Sequence, residues 1–197
     1  MDKAHPTKTP MVVQSLDLNK DPFRPRDEGE GILGPEVPYL SAIGVLMYLA
    51  NSTPPDIAFA VNLLARHNTI PTKRHWIGVK NILRYLNGTK DLGLFFQRKT
   101  YPSMIGYADA GYLSDPHNAR SQTGFVFLHG GTAISWKSLK QTLVATSTNH
   151  SEIIALYEAS RECVRLRRMI NHIQQSCCIG SIEAPTIIYE DNVACIV

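Results

Sequence analysis

The sequence predicts an α/β (α+β) fold, a mixed sheet with a packed helix, preceded by a small helical segment. Three observations predict it. From Pro38 to Gly88 the apolar residues recur at helical spacing; beyond it they run in short glycine-bounded blocks; and one long helical pattern then precedes a last short strand.

Residues 1–37 hold five of the twelve prolines, few apolar residues and no sustained period, and are expected to form an extended linker or tail. From Pro38, PYLSAIGVLMYLANS reads as a helix ending near Asn51, with Leu40, Ile43, Met47 and Ala50 at helical spacing. Thr53-Pro54-Pro55-Asp56 is a second start: a capping residue, proline at the first helical position and an acid in the first turn. The helix it opens runs through IAFAVNLLARH. A third helix starts at Thr72; its stripe of Trp76, Val79, Leu83 and Leu86 stops at Asn87-Gly88, and Lys73, Lys80 and Arg84 share another of its faces.

Past Gly88 the segments 92–97, 103–112, 123–131 and 132–138 read as strands, with Gly130-Gly131 turning the last two into a hairpin. A long helix is expected from near Asn149 to about Gln174, with Ile153, Leu156, Cys163, Leu166, Ile170 and Ile173 on one face. A loop with Cys177, Cys178 and Gly180 follows, and after Pro185 the strand TIIYED. The expected parts are therefore 1–37, 38–100 and 101–197.

With 44% apolar and 19% charged residues among 197, the chain has the composition of an ordinary globular protein, long enough to bury a core. Runs such as AIGVLMYLA fall far short of the roughly 20 residues that span a bilayer, so no membrane partner is expected. The first residues lack the apolar core of a secretory signal. Four cysteines, all in the last fifth and without paired-ligand spacing, argue against a zinc site or disulfide framework and for a reducing cytosolic or nuclear setting. The net charge of +3 is unevenly spread. Residues 60–99 carry eight bases and one acid, whereas the chain from 101 onward has seven bases and eight acids. A basic part suited to a polyanion thus precedes a part that supplies carboxylates.

Three of those carboxylates occupy unusual places. Asp109 interrupts the apolar strand IGYADAGY, Glu152 lies in the first turn of the long helix at the edge of its buried face, and Asp191 closes the strand TIIYED. If the two Asp-bearing strands are parallel neighbours, the acids meet at one end of the sheet beneath the helix start. Oxygen-only ligation of that kind favours Mg²⁺ or Mn²⁺, and a pair of such ions supports phosphodiester cleavage. Each acid also has a plainer reading. Asn149-His150-Ser151-Glu152 has capping-box spacing, Asp191-Asn192 suits a turn or helix cap, and Asp109 suits a solvent-facing edge position.

The order of these acids resembles the ribonuclease H fold. The wider sequence resembles the C-terminal part of the Pol polyprotein of copia-type LTR retrotransposons, of plant-like character. The resemblance is carried by PYLSAIGVLMYLAN, PDIAFAVNLLAR, RHWIGVKNILRYLNGTKDLGLFF, IGYADAGYLSD, ARSQTGFVF, GGTAISWKSLKQTLVATSTNHSEIIALYEASRE and PTIIYEDN, and covers nearly all of Pro10 to Asn192. It implies that 38–100 corresponds to the end of a reverse transcriptase, its thumb and connection, and 101–197 to a ribonuclease H-like domain. It implies catalytic, metal-ligating roles for Asp109, Glu152 and Asp191 with two Mg²⁺ ions (or Mn²⁺), and hydrolysis of RNA in an RNA–DNA hybrid. Asn149 matches a position that touches the nucleic acid backbone, and Lys73, Lys80 and Arg84 form a basic face suited to a hybrid, or simply a solvated one. The remainder of the Pol polyprotein is the implied partner, and a cytoplasmic virus-like particle or the nucleus the implied location.

Two departures stand beside the resemblance. Many copia-type sequences carry a second Asp where this chain has Gly111, followed by Tyr112. The family's fourth acidic ligand and its mobile His come from beyond the strand bearing Asp191, and the sequence is expected to stop short of them. No adjacent Asp-Asp pair is present, so the carboxylates of a polymerase site are not expected in these residues. The alternative implied is a catalytically inactive element remnant with residual nucleic-acid binding.

Overall fold

The computed structural model describes residues 5–11, 18, 21–53, 55–97, 103–178 and 185–195. They divide into two compact units, 1–94 with 116–118, and 95–115 with 119–197.

The first unit is helical: α1 (Tyr39–Ser52), a 3₁₀ turn (Pro55–Ile57), α2 (Ala58–Ala65) and α3 (Lys73–Thr89). α1 buries Tyr39, Ile43, Leu46 and Ala50. The apolar side expected from Leu40 and Met47 is thus turned by one residue, and both are exposed. The cause is Tyr39, whose hydroxyl donates to the Leu64 carbonyl at 2.8 Å and fixes the helix with that side inward. The proline-rich start yields a 3₁₀ turn before α2, in keeping with the missing amide of Pro55; Pro54 lies outside the described residues.

α3 begins after Thr72 as expected. The Thr72 backbone N–H donates to Nδ1 of His75 at 3.1 Å, the returning arm of a capping box in which His replaces the usual Glu or Gln. The helix passes through Asn87-Gly88 to Thr89 and buries Val79, Ile82 and Tyr85, with Trp76, Leu83 and Leu86 at the margin. Gly78 permits close packing: a Cβ there would lie 2.9 Å from Leu64 Cδ2 on α2.

Part of the segment expected to be a tail is packed instead. Phe23 belongs to the helical core, Ile32 bridges to Thr72, and the Leu33 N–H donates to the Pro71 carbonyl at 2.9 Å. Arg74 on α3 pairs with Glu30, its Nε donating at 2.9 Å. A lone aromatic between prolines has no periodicity to reveal it, and its burial is set by a cavity formed elsewhere in the sequence.

His75 gives this unit an acid-sensitive point. Nδ1 accepts from the Thr72 N–H, so the proton sits on Nε2 and is donated to the Arg24 carbonyl at 3.1 Å; His67 stacks on the ring at 3.8 Å between centroids. Burial holds the imidazole below the ordinary value of 6.5. Because the folded value is depressed, the stabilisation is complete above 6.5 and is lost as pH falls through the folded value. His75→Gln keeps an acceptor and a donor, so it should flatten the pH dependence of unfolding on the acid side. Unfolding curves from pH 4 to 8 that run parallel for both proteins would contradict this role.

The second unit is a four-stranded mixed sheet in the order β3-β2-β1-β4 with one long helix packed on it. Its elements are β1 (Met104–Asp115), β2 (Arg120–His129), β3 (Thr132–Lys140), α4 (Thr148–Ser176) and β4 (Ile187–Tyr189). β1 pairs antiparallel with β2, β2 with β3, and β1 parallel with β4. This is a ribonuclease H-like arrangement. Gly130 and Gly131 close the β2–β3 hairpin with φ of 61° and 90°, the left-handed pair that a two-residue hairpin requires.

The helix covers the sheet face bearing Met104, Ala108, Phe125 and Phe127, meeting it with Ala159, Cys163 and Leu166. Ile153 and Ile173, expected on the buried face, are exposed, while the small Ala155 and Ala159 are fully buried and allow close approach. The strand expected over 92–97 does not form; these residues are irregular, with Leu92, Phe95 and Phe96 exposed. An apolar block becomes a strand only beside an edge that accepts its hydrogen bonds. The unit boundary accordingly falls at 94/95, ahead of the expected 100/101. Arg98, Lys99 and Gly180 lie outside the described residues.

Candidate metal centre

The register of the parallel pair positions two of the three acids. Tyr107 on β1 lies opposite Tyr189 on β4. Two residues further on come Asp109, still on β1 and on the same face as Tyr107, and Asp191, in the segment just after β4. The two tyrosine rings stack beside them, 5.3 Å between centroids. Across β1, Asp109 is paired with Gly124, which places no side chain next to the carboxylate.

The third acid comes from α4. Ser147 caps this helix, its Oγ accepting from the His150 N–H at 3.1 Å. Asn149 is therefore not the cap, and the capping-box reading of Glu152 fails. The Glu152 carboxylate instead faces β1, near the backbone of Ala110, the residue after Asp109. One oxygen each of Asp109, Glu152 and Asp191 lies within 4.8 Å of the others.

Glu152 is 7% exposed, and its Oε2 is buried without a hydrogen-bond partner. Burial first, then the charges of Glu190, Asp109 and Asp191, push its carboxyl up to about 7. Three oxygen donors, one of them buried and unsatisfied, fit a hard divalent cation such as Mg²⁺ or Mn²⁺.

Glu190 is the residue that motif reasoning missed. Its Oε1 accepts from the N–H groups of Asp191 (3.1 Å) and Asn192 (3.2 Å), shaping the turn that carries Asp191. Its own carboxyl is raised, by burial and then by the charges of Asp191 and Asp109. The sequence signal for it is the adjacent acid pair that ends TIIYED.

Asn149 lies in the first turn of α4, and its Oδ1 accepts from the Cys195 thiol in the 3₁₀ turn Val193–Cys195. Gly111, where many copia-type sequences have a second Asp, lies where the β1–β2 register shifts. Lys73, Lys80 and Arg84 all belong to α3 of the first unit; Arg84 donates to Asn81 Oδ1 at 3.4 Å. Among the described residues, no helix is long and apolar enough to cross a membrane.

Mixed sheet, packed helix and three convergent carboxylates together define a ribonuclease H-like unit. Comparison with known proteins names the lineage. The chain is 41% identical over 173 residues, 88% of its length, to the retrovirus-related Pol polyprotein from transposon TNT 1-94 of Nicotiana tabacum. It is 34% identical over 155 residues, 79% of its length, to the Pol polyprotein from transposon RE2 of Arabidopsis thaliana. It spans only 13% and 10% of those two polyproteins. It is also 43% identical over 130 residues to secreted RxLR effector protein 161 of Plasmopara viticola, which covers 66% of the chain and 92% of that protein. Alignments covering 66% and 88% of one chain share more than half of it, so the effector and the tobacco polyprotein are matched largely by the same residues. No protein-family model and no solved structure matches the chain. The chain belongs to the family of retrovirus-related Pol polyproteins of copia-type transposons.

Proposed function

We propose that the second unit hydrolyses the RNA strand of RNA–DNA hybrids, with Asp109, Glu152 and Asp191 holding two Mg²⁺ ions, or Mn²⁺ in their place. The observation that carries this reading is the convergence of three carboxylates from β1, α4 and the segment after β4 to within 4.8 Å. When bound, such ions lower the pKa of the attacking water and neutralise charge developing on the scissile phosphate.

The residues of the chain have separate tasks in this reading. Asp109 presents its oxygen from β1, and Asp191 from the segment that follows the neighbouring strand β4. Glu152 brings a third oxygen from α4, just past the helix's first turn. Asn149, one turn of backbone earlier, touches the nucleic acid backbone. The face of α3 with Lys73, Lys80 and Arg84 holds phosphates, and the hybrid is told apart from duplex DNA by groove shape and 2′-hydroxyl contacts. The reaction belongs to reverse transcription within the larger Pol polyprotein, in a cytoplasmic virus-like particle or the nucleus. The effector role carried in the name of the oomycete relative stays with that protein.

Incubation of the full chain with an end-labelled RNA–DNA hybrid tests this directly. Mg²⁺-dependent cleavage leaving 3′-hydroxyl and 5′-phosphate ends is the expected result. Hybrid binding without cleavage at any Mg²⁺ or Mn²⁺ concentration would favour the inactive remnant. For the basic face, replacing Lys73, Lys80 and Arg84 together by Ala should reduce the slope of log affinity against log salt by about 2 to 3, one phosphate contact each. An unchanged slope in fluorescence-anisotropy titrations would remove α3 from the interface.

A further inference from the structure

We infer that Gln141 is a positioning residue for the carboxylate cluster, locking the start of α4 to the sheet at the register that sets Glu152 beside Asp109. The inference rests on the metal-centre reading above.

Gln141 follows β3 and is 4% exposed. Its Nε2 donates to two groups: Thr123 Oγ1 on β2 at 3.1 Å, and the Ser151 carbonyl in the first turn of α4 at 2.9 Å. Its backbone N–H donates to the Ser121 carbonyl at 2.8 Å, so the residue is itself held by β2. Thr123 and Ser151 are buried as well, at 2% and 0% exposure.

These bonds tie the first turn of α4 to β2. Thr123 is the cross-strand partner of Ala110. Ala110 follows Asp109, and an oxygen of Asp109 lies within 4.8 Å of one of Glu152. Glu152 follows Ser151, whose carbonyl accepts from Gln141, and Gln141 also donates to Thr123. The bonds thus join β2, α4 and the segment leaving β3. A carbonyl in the first turn of a helix accepts an intrahelical bond, so a second donor from outside adds positional restraint. Without Gln141, α4 would still be capped by Ser147 and still pack through Ala155, Ala159 and Leu166. What it would lose is the link between its first turn and the strand opposite Asp109.

Gln141 Oε1 is buried without a partner, so the side chain is kept at a cost in stability that its two donated bonds offset by fixing geometry. Groups that orient metal ligands typically change metal affinity by about 10- to 100-fold when removed.

The test compares the full-length wild type with Gln141→Leu, Thr123→Val and Ser135→Ala. Ser135 serves as control because its Oγ donates to Glu162 Oε1 at 2.6 Å, on the same sheet and helix but further along α4. Two readouts are taken well below the melting temperature: Mn²⁺ affinity by calorimetry, and amide hydrogen exchange at Ala110 by NMR. Gln141→Leu should weaken Mn²⁺ binding by about tenfold or more and speed exchange at Ala110 at least as much, with Thr123→Val intermediate and Ser135→Ala unchanged in both. Exchange at Ala110 that is equally slow in Gln141→Leu and wild type would overturn the inference, whatever the Mn²⁺ result. A wild type that binds no Mn²⁺ would instead refute the metal-centre reading, and the exchange comparison would still decide whether Gln141 positions Glu152.

Discussion

Asp109→Asn is expected to reduce Mg²⁺-dependent hybrid cleavage by more than about 100-fold, because groups that merely orient ligands already cost 10–100-fold. It should do so while making the metal-free protein more stable. Asp109, Glu152 and Asp191 bring three carboxylate oxygens within 4.8 Å, and Glu190 adds its charge to the field on Glu152. Without a cation these groups repel one another, and removing one relieves the strain. The sign follows from Glu152. Its folded value of about 7 exceeds the ordinary 4.5, so the folded state binds the proton more tightly. Stability in the absence of metal therefore falls as pH rises from 4.5 towards 7, and the loss is complete above that. Asp109→Asn should soften this fall. Added Mg²⁺ should raise the melting temperature of the wild type by mass action and leave that of the variant nearly unchanged. Cleavage retained in the variant, or a lower metal-free melting temperature at pH 8, would contradict this account.

Phe127→Ala is expected to destabilise the second unit by about 3–5 kcal/mol, enough to consume much of the stability of a typical domain. Phe127 is fully buried, at the centre of the core between sheet and helix. Its cross-strand partner is Gly106, and a Cβ at Gly106 would lie 2.5 Å from the ring Cε1. The ring thus lies over a position that must have no side chain. Gly106→Ala alone should cost about 1–3 kcal/mol through overpacking. Paired with Phe127→Leu, which vacates the same space, it should cost less than the sum of the two single changes. Simple additivity in denaturant unfolding would show that the ring and the glycine do not share this contact.

The sequence announced what local chemistry determines. Gly130-Gly131 marked a hairpin because few other residues adopt the left-handed φ it needs, and Thr72 marked a helix start because its position supplies a cap. The meeting of Asp109 and Asp191 was legible as a conditional, since it required the two apolar segments that bear them to run parallel and adjacent. What long-range packing decides was hidden. The facing of α1 depends on a hydroxyl of Tyr39 finding the Leu64 carbonyl, 25 residues away in sequence. Phe23 docks onto helices that begin after it, and 92–97 finds no strand to pair with. In the site, Glu152 had a local explanation in the capping box that proved wrong, because Ser147 takes the cap and the Glu152 carboxylate lies with those of Asp109 and Asp191. Gln141 carried no motif, and only the fold gives it Thr123 and Ser151 as partners, whereas Glu190 bonds its own chain neighbours Asp191 and Asn192.

The central claim is that the three carboxylates form one divalent-cation site, and a calorimetric Mn²⁺ titration tests it most directly. Wild-type and Asp109→Asn proteins are titrated at pH 6 and pH 8 in buffers of different ionisation enthalpy. The wild type should bind saturably, more tightly at pH 8, and near pH 7 should release protons into the buffer as Glu152 ionises; Asp109→Asn should show at most weak binding. No saturable binding by the wild type, or equal affinity in the variant, would contradict the assignment.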